Sequence, residues 1–82
     1  MIITFKGKAP KIADSAFVSE RAYVVGDVEI GENLGVWPGA VIRAGFGPIR
    51  IGKNCQIEDN SVVHSGTNVE IGAVIRSMED DI

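Results

Sequence analysis

Ile12-Ala13-Asp14-Ser15-Ala16-Phe17, Val18-Ser19-Glu20-Arg21-Ala22-Tyr23, Val24-Val25-Gly26-Asp27-Val28-Glu29, Ile30-Gly31-Glu32-Asn33-Leu34-Gly35 and Val36-Trp37-Pro38-Gly39-Ala40-Val41 run consecutively into Ile42. Each unit opens on an aliphatic residue, mostly β-branched as strands prefer. The fifth place is small or apolar: Ala16, Ala22, Val28, Leu34, Ala40. The next unit starts at Ile51, nine residues after Ile42, so Ala44 to Pro48 reads as a bulging loop of three extra residues. The beat resumes with Ile51, Ile57 and Val63, carrying Cys55, Ser61 and Thr67 in the fifth place. Ordinary alternating strands would put apolar residues in the third place, but Asp14, Glu20, Glu32, Lys53 and Asp59 stand there, which argues against a small antiparallel sandwich.

A unit of this length cannot bury its own apolar side chain, so successive units must coil and stack. The pattern resembles the hexapeptide-repeat family, which implies an all-β, left-handed parallel β-helix, triangular in section with three units per coil. The expected architecture is one domain over residues 1–82, with repeats at about 12–47 and 51–75 forming three to four coils, and a short C-terminal cap opened by Ser77 with Glu79 or Asp80.

The 82 residues allow a single core. A net charge of −3 without a basic stripe argues against a nucleic-acid partner. No window approaches the ~18 apolar residues of a membrane span, and the start is too soon charged for a signal peptide, so a cytoplasmic location is expected. A lone cysteine, Cys55, excludes an intrachain disulfide. In the small inward place it reads as a packed thiol rather than a reactive one. Chains this small without staples often depend on oligomerisation for stability.

With three units per coil, residues 18 apart stack, and across the loop the step becomes 21, which sets His64 above Arg43 and Glu58 above Trp37. A cation, the chain's one histidine and a protruding loop make this edge the leading site candidate. His64 reads as a metal ligand, a general base or a surface residue. Arg43 reads as an anion clamp or as the partner of Asp59 or Glu58, on its own chain or a neighbour. Glu58-Asp59 reads as a carboxylate pair for acid–base work or as a solvated turn. Trp37-Pro38 suggests a subunit interface.

Three runs carry a closer resemblance: Val36-Trp37-Pro38-Gly39-Ala40-Val41-Ile42-Arg43, Pro48-Ile49-Arg50-Ile51-Gly52-Lys53-Asn54, and Ile57-Glu58-Asp59-Asn60-Ser61-Val62-Val63-His64. They resemble the γ-class carbonic anhydrase family, whose members read Trp-Pro-x-x-Val-x-Arg-Gly-Asp, Ile-Gly, then Asn-x-Gln-Asp-x-x-x-x-His. The amino end, Gly7-Lys8-Ala9-Pro10-Lys11-Ile12, is similar too. The resemblance implies a homotrimer holding zinc or iron between subunits with three histidines, so that bound hydroxide attacks carbon dioxide. His64 matches the first histidine. Arg43 matches an arginine near both site and interface.

Other features depart from that family. The Gly-His-x-x-x-x-His stretch supplying two further ligands has no counterpart, since no histidine follows His64. Ala44-Gly45 replaces Gly-Asp, Glu58 replaces the glutamine that positions the bound water, and Gln56 replaces the asparagine before it. The chain is about half the usual family length.

The expectation is therefore a truncated γ-carbonic-anhydrase-like protein, catalytically degenerate for want of two metal ligands. Its candidate catalytic residues are Arg43 and Glu58, with His64 as a partial metal site and Trp37, Arg43 and Asp59 at an interface. If active, it would be a metal-dependent carbonic-anhydrase-like lyase; otherwise no cofactor is expected. A homo-oligomer is expected, as a trimer, with end-to-end association as a second mode. The alternatives are a non-catalytic oligomeric scaffold or binding module, and a hexapeptide acyltransferase with His64 as general base.

Overall fold

The structure is a computed structural model that describes residues 1–65 and the backbone of residues 69–71. The described residues are all-β and form nine strands. These are β1 (Ile2–Ile3), β2 (Lys11–Ile12), β3 (Phe17–Val18), β4 (Tyr23–Ile30), β5 (Gly35–Val36), β6 (Val41–Ile51), β7 (Gln56–Ile57), β8 (Val62–His64) and β9 (Val69–Ile71). Every pairing among the described strands is parallel, as a solenoid requires when each coil repeats the path of the one below. The result is a parallel β-helix of about three turns. One three-stranded face is β3-β5-β7, and a larger sheet wraps the other two faces because β4 and β6 run on around a corner.

The register follows the stacking arithmetic. Ile12 pairs with Ile30 and Val18 with Val36, a step of 18. Val36 pairs with Ile57, Ile42 with Val63 and Arg43 with His64, a step of 21. The change occurs inside the β4–β6 ladder. Gly26 pairs with Ala44 but Val28 with Ile49, so Asp27 alone is spanned by residues 45–48 on the coil above. The loop read from the sequence is this bulge.

The inward column is buried as its apolar character demands. Val24, Val36, Ile42 and Ile57 are wholly inaccessible, and Val28, Leu34, Ile49 and Cys55 complete the core beside them. Each such aliphatic side chain contributes roughly 1.5–3 kcal/mol by leaving water. Ile12, Ala16 and Val18, on the first coil, are only partly buried against this core. The corners need special backbone. Asn33, Asn54 and Asn60 adopt positive φ, which asparagine tolerates better than most residues. At Gly26, φ is +84° and a Cβ would stand 2.8 Å from the Ala44 carbonyl oxygen, so only glycine fits.

Two features differ from the sequence expectation. The first strand precedes the repeats: Ile2–Ile3 pairs with Val24–Val25, a step of 22, and the surplus is taken up by a tight turn at Phe5–Lys8. Phe5 and Lys8 exchange backbone hydrogen bonds of 2.9 and 3.0 Å, with Lys6 and Gly7 both at positive φ. At the other end Ile51 pairs with Ile71 and Ile49 with Val69, a step of 20. Val69, not Thr67, therefore stands in register with the fifth-place residues Val28 and Ile49. Thr67 itself and the expected C-terminal cap lie outside the described residues.

The ladder also sets charged residues in register: Lys11 pairs with Glu29, Glu29 with Arg50, and the backbone of Arg50 with that of Glu70. Arg50 meets Glu29 at 3.5 Å and Asp27 at 3.1 Å, and donates further to the Asp27 carbonyl at 3.2 Å.

Candidate functional site

Arg43 and His64 are placed side by side by the β6–β8 ladder. Each follows an inward residue, Ile42 or Val63, so strand alternation turns both outward, and both are exposed. The carbonyl of Arg43 accepts from the Ser65 amide at 3.3 Å, which ties the two coils together just past the pair.

The bulge starts one residue after Arg43 and is held from above. The Ser65 hydroxyl, almost inaccessible at 2% exposure, donates to the Gly47 carbonyl at 2.7 Å and accepts from the Gly47 amide at 3.3 Å. This fixes the base of the loop and leaves Phe46 at its tip, 89% exposed. Neither Ser65 nor Phe46 stood out in the sequence. No spacing in the sequence signals Ser65, since the coil step across this loop is 21 and not the 18 that separates it from Gly47.

Trp37 lies at the corner that leads into β6. Its indole N–H donates to the Gln56 side-chain oxygen at 2.6 Å, and its ring packs on Phe17 with centroids 5.0 Å apart. The pairing of Val36 with Ile57 sets Glu58 next above Trp37, as the spacing predicts. Asp59 is exposed on the turn that follows. Among the described residues no ion pair joins Arg43 to Asp59, so that within-chain reading of Arg43 has no support. Arg50, by contrast, forms ion pairs with Asp27 and Glu29.

Within one chain, the donor set of the described residues does not suit a catalytic metal centre. Among the described residues no three of the histidine, cysteine, aspartate and glutamate side chains stand close enough to share an ion. The one imidazole of the sequence lies beside a guanidinium, whose charge opposes a cation. Zinc sites use three or four protein ligands. No helix among the described residues is long and apolar enough to cross a membrane.

No family model matches the chain. Over 68 residues it is 44% identical to a carbonic anhydrase of Geobacillus kaustophilus (strain HTA426), covering 83% of this chain and 37% of that one. It is 40% identical over 68 residues to the uncharacterized transferase YtoA of Bacillus subtilis (strain 168), covering 83% of this chain and 40% of that one. With gamma carbonic anhydrase 1, mitochondrial, of Arabidopsis thaliana it shares 42% identity over 57 residues, 70% of this chain and 21% of that one. The chain thus spans about two fifths or less of these relatives.

Among solved structures, a Bacillus cereus protein assigned as an acetyltransferase matches with a TM-score of 0.69 and 29% identity, over 89% of this chain and 48% of that one. A hexapeptide transferase family protein from Anaplasma phagocytophilum matches with a TM-score of 0.59 and 24% identity, over 77% of this chain and 49% of that one, a likeness of fold. Repeat, register and sequence similarity together make this a γ-carbonic-anhydrase-like chain of the hexapeptide-repeat family.

Proposed function

We propose that these residues form a γ-carbonic-anhydrase-like coil stack that does not hydrate carbon dioxide by itself and acts as part of an oligomer. The pairing of Arg43 with His64 carries this reading. It sets the arginine and first histidine of the family motif side by side, and the sequence offers no second imidazole to complete a metal site. Identical copies of these residues lack the same two motif histidines, so self-assembly does not supply them.

The assembly half of the proposal rests on exposed apolar surface around one corner. Tyr23, Val41 and Val62 stack in a column, with Tyr23 46% and Val62 65% exposed. Across the corner Phe17 and Trp37 form an aromatic pair, 51% and 37% exposed. Exposed apolar residues grouped in this way suit an association site. Trp37 as an aromatic anchor and Arg43 and Asp59 as rim charges suit a homotrimer contact.

Elemental analysis of the purified oligomer, paired with a carbon dioxide hydration assay, tests the catalytic half. The expected result is substoichiometric zinc and iron and no hydration above buffer. About one metal per chain, lost in His64→Ala, would overturn it. Sedimentation tests the other half: a trimer is expected, and a monodisperse species of 8.7 kDa would contradict it.

A further inference from the structure

We propose that the cleft between the Phe5–Lys8 turn and the Ala44–Pro48 loop binds a small carboxylate that carries an apolar body. The cleft has a volume of about 190 Å³ and is lined by Phe5, Lys6, Lys8, Asp27, Phe46 and Pro48, among others. It exists because the chain departs from the hexad beat twice at the same corner. The first coil bulges through the Phe5–Lys8 turn and the third through the loop, while the coil between them crosses the corner with Asp27 alone.

The electrostatics favour an anion. The protein carries a net charge of −3, yet Lys6 and Lys8 both line this cleft. The carboxylate of Asp27 is engaged by Arg50 at 3.1 Å, so the acidic residue of the lining is already compensated from its far side. The two ammonium groups are left as the local excess. Lys6 stands over the Phe5 ring at 5.5 Å, which holds one of them at an aromatic wall.

The walls favour an apolar body. Phe5 on the turn is 40% exposed and Phe46 on the loop 89% exposed, with Pro48 at the loop base. The size limits that body. Drug-sized ligands occupy roughly 300–1,000 Å³, so a nucleotide-sized molecule is too large, whereas a single-ring or short-chain carboxylate fits. The loop side is preorganised, since both hydrogen bonds from Ser65 fix Gly47. This inference does not depend on any metal or on His64.

Benzoate, inorganic phosphate and benzyl alcohol are the probes, titrated into the intact protein while backbone amide resonances are followed. Benzoate should give saturable shifts centred on Phe5–Lys8 and residues 44–48. The Lys6→Asn/Lys8→Gln variant keeps a residue that tolerates positive φ at position 6 and leaves the turn's backbone bonds in place. It should bind benzoate about tenfold more weakly or worse, because charged hydrogen bonds of ~1.5–3 kcal/mol are removed, and its unfolding transition should not move. Phe46→Ala should also weaken benzoate while leaving weak phosphate binding as it was. Benzyl alcohol binding as well as benzoate would overturn the role of charge, and phosphate binding as tightly would overturn the apolar body. Unchanged binding by the double variant, or shifts confined to other segments, would remove the site.

Discussion

The indole N–H of Trp37 and the side-chain oxygen of Gln56 meet at 2.6 Å directly over Gly35, where a Cβ would stand 2.6 Å from that oxygen and 2.8 Å from the indole nitrogen. The absent side chain at position 35 thus makes room for the contact that orients the aromatic pair. Gly35→Ala is expected to break this hydrogen bond and destabilise the protein by about 1–3 kcal/mol, the usual range for overpacking. Because the chain has one tryptophan, its fluorescence reports the change directly: the emission should shift to the red, and the urea midpoint should fall.

Gly39 makes an even closer approach. Its φ is +81°, and a Cβ there would overlap the Asn60 side-chain oxygen on the coil above. Gly39→Ala therefore combines left-handed backbone strain of ~1–2 kcal/mol with a clash. Asn60→Gly suits the +62° φ of position 60 and removes the atom that clashes. A double-mutant cycle by chemical denaturation should show the second change recovering only the steric part of the loss.

Ser65→Ala removes both hydrogen bonds to Gly47 and leaves a part-buried carbonyl and amide without that partner. A loss of about 1–3 kcal/mol is expected. Hydrogen exchange should quicken at residues 45–47 while the β4 amides stay protected, since the bulge alone loses its anchor.

His64→Ala should do little to stability, within about 0.5 kcal/mol, because the side chain is exposed and the strand pairing beneath it is backbone. Trp37→Ala should act differently. Its lost ring contact with Phe17 destabilises the chain, and the proposed assembly should weaken at the same time, seen as a shift toward smaller species in sedimentation.

The order of coils was legible because the inward aliphatic residues fall on one arithmetic, and a three-residue insertion leaves that arithmetic recoverable. The placement of His64 over Arg43 followed without any side-chain information. Ile2–Ile3 was not legible as a strand, since its step of 22 hides behind the Phe5–Lys8 turn. The shift to a step of 20 at Ile71 was missed because the six-residue beat from Val63 leads to Val69, which is itself aliphatic. The cleft between the two bulges could not be foreseen either. It depends on two irregularities meeting at one corner, and a periodic pattern says nothing of where its own interruptions coincide.

The column Lys11, Glu29, Arg50 and Glu70 has a consequence for how the chain finds its native winding. The core presents aliphatic residues in coil after coil, so a segment docked one coil out of place would still set aliphatic residues against aliphatic residues. The hydrophobic interior is blind to that error. The charges repeat only every second coil, so the same misplacement would set Lys11 against Arg50 and Glu29 against Glu70. Like charges directly opposite are unfavourable on neighbouring strands. The outer column therefore works as a parity check, rejecting an error that the inner columns would accept.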